Sequence, residues 1–117
     1  MLKGRPGQAA LRELEQVLSG MSDKRLTSDT LCDSDGLMCA LGAWMFAKRT
    51  AAGVTPRAAK RELRKLDYKL YEADEWGAVP AAMAVLPITA TLGWMIQDAN
   101  DEWAPPNPMQ RHAYMLR

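Results

Sequence analysis

Apolar positions along this chain recur at helical intervals, with no sustained strand-like alternation. Between Gln8 and Ser19, Leu11, Leu14 and Leu18 are spaced by three and four with Val17 beside them, while Arg12, Glu13, Glu15 and Gln16 fall between. That pattern predicts an amphipathic helix, and Gly20 stands where a C-terminal cap would. Residues 1–7, ending in Pro6 and Gly7, read as a loose tail. The sharpest feature comes next: eleven consecutive residues, Leu37 to Ala47, carry no charge, hydroxyl or amide side chain. A helix apolar around its whole circumference has no face to give to water and belongs in the middle of a fold. It is too short for the roughly 20 residues that span a bilayer. We therefore expect a central helix over residues 38–49, enclosed on every side by the others. Ala40, Gly42, Ala43 and Ala47 would let neighbouring backbones approach, with Trp44, Met45 and Phe46 filling the gaps. Lys48 and Arg49 would emerge at its C-terminal end, where the helix dipole favours cations.

Thr55-Pro56 is a helix start, with Thr as N-cap and Pro at the first helical position. Ala59, Leu63, Leu66 and Leu70 continue the stripe to about Leu70 or Tyr71, and Trp76-Gly77 turns the chain away. A short helix is expected after Pro80, punctuated by Pro87. Another runs from Ile88 to Asn100 with Leu92, Met95, Ile96 and Ala99 inward. Asn107-Pro108 opens a last short helix through Met109, His112, Ala113 and Leu116. The polar stretch from Ser22 to Gly36 contains the turn sequence Asp33-Ser34-Asp35-Gly36. Its flanks, Leu31-Cys32 and Leu37-Met38, admit a very short β-hairpin over 31–38, although a plain loop is favoured. The expected fold is all-α: a single domain over residues 1–117, built as a bundle of about five helices.

With 117 residues and 48% hydrophobic content, one domain can bury a core without staples. The net charge of +1 drives the chain toward neither nucleic acid nor a membrane surface. Its distribution is uneven: residues 1–70 hold thirteen Lys/Arg against eight Asp/Glu, and residues 71–117 hold two against six. Cys32 and Cys39 are too few for a disulfide scaffold and sit beside apolar residues, so both are read as free thiols. The basic N-terminus lacks an apolar signal region, and a cytoplasmic protein is expected.

Catalytic chemistry finds little footing. His112 has no sequence-local partner and reads as a structural histidine, and a cysteine nucleophile would need a base brought from far away. Aligning Gly36 with the glycine of a calcium loop puts Leu31 at the first position and Gly42 at the twelfth, where carboxylates are required. Cys32, Cys39 and His112 do not complete a zinc set without distant carboxylates. Gly4-Arg5-Pro6-Gly7 is no phosphate-binding loop. We expect no catalytic residue, cofactor or metal.

Charge offers more. Arg57, Lys60, Arg61, Arg64, Lys65 and Lys69 recur at three and four opposite the leucine stripe, with Glu62 and Asp67 as the acids of the same helix. Such a ridge is a solvated face, a phosphate-tracking element or a site for an acidic protein. It lacks the Asn, Gln, Ser or Thr that would read base edges. Two acidic clusters precede tryptophans: Glu72, Asp74 and Glu75 before Trp76, and Asp98, Asp101 and Glu102 before Trp103. They are either a protein-binding rim with an aromatic anchor or helix ends whose tryptophans fold back onto the core.

Asp35-Gly36-Leu37-Met38-Cys39-Ala40-Leu41-Gly42-Ala43 resembles the D-G-x-x-C-A-L-G-A pattern of a family of small uncharacterised phage and prophage proteins. In that family the helix is followed by an N-D-E segment and a closing T/N-P-x-x-R helix. Here Asn100-Asp101-Glu102 and Asn107-Pro108-Met109-Gln110-Arg111 stand in that order, though the terminal aromatic expected of the family is missing at Arg117. The resemblance covers about two-thirds of the chain and implies phage origin without an activity. The expected function is a non-enzymatic phage accessory protein that binds and inhibits or redirects a host protein, including antidefence factors of the anti-CRISPR kind. Its expected contact residues are Arg57, Lys60, Arg61, Arg64, Lys65 and Lys69, or the acidic group Glu72, Asp74, Glu75 and Trp76 with Asp101, Glu102 and Trp103. The alternative is a small DNA-binding regulator using the basic helix over 56–70.

Overall fold

The computed structural model describes residues 5–28, 30–72, 86 and 88–116. The fold is all-α. Helix α1 covers Arg5–Ser19, α2 Ala40–Ala51, α3 Pro56–Glu72, α4 Ala90–Asp98 and α5 Pro108–Met115, with a π-helical turn, Ala99–Trp103, continuing α4. Two isolated β-bridges are the extended pairings among the described residues. The helix expected after Pro80 lies outside the described residues.

Helix α1 begins at Arg5, so residues 5–7 belong to it and not to a loose tail. Its inward seam is Ala10, Leu14 and Leu18, flanked by Val17 and Met21. Leu11, expected inward, is 39% exposed, because the small Ala10 takes the position closest to the core. Glu13 pairs with Lys48, tying α1 to α2 across their surface edge.

Helix α2 is the centre of the core, but over half its length. Six successive residues, Ala40 to Met45, are buried, which encloses the helix on all sides. From Phe46 to Thr50 the side chains are half-buried, so the expected all-round enclosure ends there. It also begins two residues later than expected. Met38 is held in extended conformation, bridging Leu26 and Cys32, and its carbonyl accepts from Thr27 N–H at 2.9 Å. Cys39 is the N-cap, its sulfur accepting from Gly42 N–H at 3.3 Å. At the other end α2 extends to Ala51, and Gly53 at φ +99 turns the chain toward α3.

The hairpin over 31–38 reduces to one antiparallel bridge, Cys32 to Met38, around a tight turn. Asp33 N–H donates to Leu37 O at 2.8 Å, and Asp33 Oδ1 accepts from the N–H groups of Asp35 and Leu37, both at 2.9 Å. Gly36 supplies the φ of +84 that closes the turn. The carboxylate of Asp67 on α3 holds the strand entering it, accepting from Thr30 Oγ1, Leu31 N–H and Cys32 N–H at 2.6, 2.8 and 3.1 Å. That anchorage lays the Leu31 carbonyl against the α2 backbone, where a Cβ on Gly42 would sit 2.1 Å from its oxygen.

Thr89 caps α4, accepting from Leu92 N–H at 3.2 Å, and Leu92 and Ile96 face the core. The helix expected to stop at Asn100 instead widens into the π-turn, which carries Asn100 inside at 1% exposure. Asn100 Oδ1 accepts from Ala40 N–H at the start of α2 (3.0 Å), and its Nδ2 donates to Thr27 O (2.9 Å) and Asp101 Oδ1 (2.7 Å). Asn107 caps α5 through its side-chain oxygen, with Pro108 following as the sequence implies. The face of α5 keeps His112 inward as its place in the stripe implies, but departs from expectation at Met109, Arg111 and Ala113. Arg111 and His112 are buried, Met109 is 63% exposed and Ala113 is exposed. Arg111 turns inward because unsatisfied carbonyls await it: Nε donates to Asn100 O at 2.9 Å and Nη1 to Leu26 O at 3.4 Å. His112 Nε2 lies 2.7 Å from Leu18 O, a structural contact that needs its proton on that nitrogen.

Gly42→Ala should cost about 3 kcal/mol in urea denaturation, since its methyl would meet fixed backbone and the packed helix has nowhere to move. Gly53→Ala, with nothing near its Cβ position, should lose about 1 kcal/mol from backbone conformation alone. Asn100→Leu should cost about 3 kcal/mol in the same assay, because the buried Ala40 N–H and Thr27 carbonyl would lose their partner.

Candidate functional site

The candidate contact residues divide once placed on the fold. Helix α3 buries Ala59 and Leu63 and half-buries Leu66, leaving its opposite side to the cations. Two of the six lean away from the ridge. Arg64 Nε donates to Asp33 O at 3.4 Å, and the half-buried Lys60 lies over the Phe46 ring, its Nζ 5.9 Å from the centroid. Both reach toward the 33–36 turn, whose Gly36 would carry a Cβ 3.2 Å from Lys60 Nζ. The other four, Arg57, Arg61, Lys65 and Lys69, are exposed and have no ion-pair partner within 4.0 Å among the described residues. Their four-residue spacing sets successive cations about 6 Å apart along the axis.

Two acids of the same helix, Glu62 and Asp67, direct their hydrogen bonds away from the ridge. Glu62 forms a two-pronged pair with Arg49 of α2 at 2.9 and 3.0 Å, and this guanidinium holds its carboxyl below the usual carboxylate range. Asp67 is committed to the backbone of residues 30–32. Amid the cations stands Tyr68, 63% exposed and one turn beyond Arg64. Sequence reasoning missed it, although its helical position, seven residues beyond Arg61, places it on the charged side.

The acidic group is less coherent. Asp74, Glu75, Trp76 and the side chain of Glu72 lie outside the described residues. Asp101 is half-buried and accepts from Asn100, which makes it part of the internal network and not a free rim charge. Glu102 is exposed, and Trp103 is 61% exposed, so this tryptophan does not fold back onto the core.

A cavity of about 300 Å³ opens where α2 leaves the core. Val17 and Met21 line one wall, Ala43, Phe46, Ala47 and Thr50 the floor, and Lys60 and Arg25 the rim. Arg25 is matched by Asp23 through two bonds of 2.8 Å, and that guanidinium lowers the Asp23 pKa. Nothing in the sequence announced this cavity, because its walls come from four separate segments.

The thiols are buried and free. Burial pushes Cys39 up to about 12, and Cys32 is raised by the same cause. Neither has the stabilised thiolate that nucleophilic chemistry requires. Among the described residues no three His, Cys, Asp or Glu side chains gather as metal ligands would, and no helix is long and apolar enough to cross a membrane.

The raised Cys39 pKa means the folded state keeps its proton where the unfolded chain releases it. Its contribution is complete below the ordinary thiol pKa of 9.0 and is lost as pH rises toward about 12. Cys39→Ser keeps an N-cap oxygen and removes this titration, so urea midpoints measured across that alkaline range should fall less steeply in the variant than in the parent.

Comparison with known proteins supplies no template for this surface: no family model, curated protein or solved structure matches the chain.

Proposed function

We propose that this chain is a non-enzymatic phage accessory protein that binds an acidic surface on a host protein through the outer side of α3, inhibiting or redirecting its partner in the manner of an antidefence factor such as an anti-CRISPR. One observation carries the reading: Arg57, Arg61, Lys65 and Lys69 are exposed around Tyr68 while Glu62 and Asp67 of their helix are engaged elsewhere. A cationic helix face with an amphipathic aromatic in its midst has the composition of an interaction hot spot, where Tyr and Arg are enriched. The phage assignment rests on the motif resemblance, and the three motifs that carry it meet in space. Ala40 of the first, Asn100 of the second and Arg111 of the third are joined through the Asn100 amide and carbonyl. Those motifs therefore support a shared scaffold and leave the contact surface to α3.

The regular spacing of the same cations also favours a second reading, a regulator that tracks phosphates, with Tyr68 free to stack on a base. The two differ in whether duplex DNA is bound at all.

The triple variant R57E/R61E/K65E removes the ridge without touching Arg64 or Lys60. Partner capture from bacterial host extract should fall at least about tenfold, a loss of about 1.4 kcal/mol or more, with the circular dichroism spectrum unchanged. Equal capture by parent and variant would exclude α3 as the interface. A mobility shift with duplex DNA, titrated at two salt concentrations, addresses the alternative. Phosphate tracking requires a shift that weakens steeply with salt, by a slope of about −0.9 per phosphate neutralised.

A further inference from the structure

We propose that the cavity beside the C-terminal half of α2 is a binding site for a small amphipathic monocarboxylate. The feature is separate from the α3 ridge, and its test does not depend on that reading. At about 300 Å³ it has the size of a small-molecule pocket. Its lining is mixed, with apolar surface from Val17, Met21, Ala43, Phe46 and Ala47 and hydroxyls from Ser22 and Thr50. Burying such surface favours an apolar ligand by about 25 cal/mol per Å² removed from water.

Charge at the rim selects the other end of the ligand. Three ionised groups line the cavity: Asp23, Arg25 and Lys60. Asp23 and Arg25 satisfy each other through two hydrogen bonds, so their charges cancel locally. Lys60 remains. It makes no ion pair within 4.0 Å among the described residues, and its described partner is the face of Phe46 at 5.9 Å. A ring face leaves the three N–H donors of the ammonium without an acceptor of their own. The cavity lining, with Asp23, Arg25 and Lys60, thus carries one net positive charge beside apolar surface. The complement is one negative charge on an apolar body. A dianion would bring a second charge with no partner, and a neutral chain would leave the ammonium without its carboxylate.

The geometry also holds the ammonium in place. Gly36, at φ +84, runs beneath the lysine chain with only 3.2 Å between its Cβ position and Nζ. The Phe46 ring bounds the other side. Lys60 Nζ thus lies between Gly36 and Phe46, both of which line the cavity.

Decanoate is the probe, below its micellar concentration, with decanol as the neutral chain of equal length. Isothermal titration of the full chain should show one equivalent of decanoate bound, with decanol weaker by about tenfold. Lys60→Gln should erase the difference between acid and alcohol. Ala47→Leu, which places its side chain into the cavity, should remove binding of both while thermal denaturation shows the fold intact. If Ala47→Leu does not fold, Thr50→Leu fills the same floor from the next turn. The proposal is overturned by any of three results: no saturable decanoate binding to the parent, undiminished acid-over-alcohol preference in Lys60→Gln, or full binding in a folded cavity-filled variant.

Discussion

One buried primary amide joins the described parts of this fold. The N-terminus of a helix exposes N–H groups that no intrahelical carbonyl can reach, and the loop around Thr27 leaves carbonyls in the same condition. Asn100 meets both at once, accepting at Ala40 and donating at Thr27. A carboxylate in its place would accept without donating, and a hydroxyl has too short a reach. Leu92, Ile96 and Asn100 recur every four residues, so one helical face carries all three inward. The π-turn that begins at Ala99 carries the amide at the end of that face. Arg111 then follows from Asn100, because the wide turn frees a carbonyl that a buried guanidinium can satisfy.

The same economy of polar groups shapes α3. Glu62 and Asp67 look in the sequence like neutralising partners for their neighbours, and both are hydrogen-bonded elsewhere. Asp67 gives its oxygens to the backbone of the 30–32 segment, and this contact lets the Leu31 carbonyl rest on Gly42. Glu62 fastens α3 to α2 through Arg49. The packing of the core and the positive outer face thus share a cause: Asp67 and Glu62 direct their hydrogen bonds to the 30–32 backbone and to Arg49, and not to the ridge cations.

How much of this was legible in the sequence depended on how local each determinant is. Residues 40–45 are enclosed because an apolar circumference allows nothing else, and Thr55-Pro56 and Asn107-Pro108 begin helices because their chemistry is set by adjacent residues. The misplacements share another cause. The internal bonding of Arg111 and Asn100 was not legible, since the carbonyls and N–H groups that they bond lie up to 85 residues away. Leu11 and Met109 read as core by type, yet Ala10 and Arg111 occupy the inward positions beside them. The hairpin expected as an alternative over 31–38 collapses to one bridge because the side chains of Asp33 and Asp67 take over backbone groups that a ladder would have used. On the candidate surface, the cations were visible as a pattern. Their separation into a free set and a set drawn to the 33–36 turn was not, because it depends on a loop placed from elsewhere in the chain.

Stitching of early residues by late ones has a consequence for how the molecule comes to be made. The backbone of Leu26 pairs with Pro108 and Arg111, Thr27 with Asn100, and Leu18 with His112. A ribosome releases the 18–31 segment and the apolar α2 well before these partners exist. At roughly 5–20 residues per second, the interval between Leu31 and His112 is on the order of ten seconds. Throughout it the central helix α2, enclosed on all sides over Ala40 to Met45, is present without the segment that closes over its N-terminal end. Nascent chains should therefore depend on chaperone shelter far more than the finished molecule does.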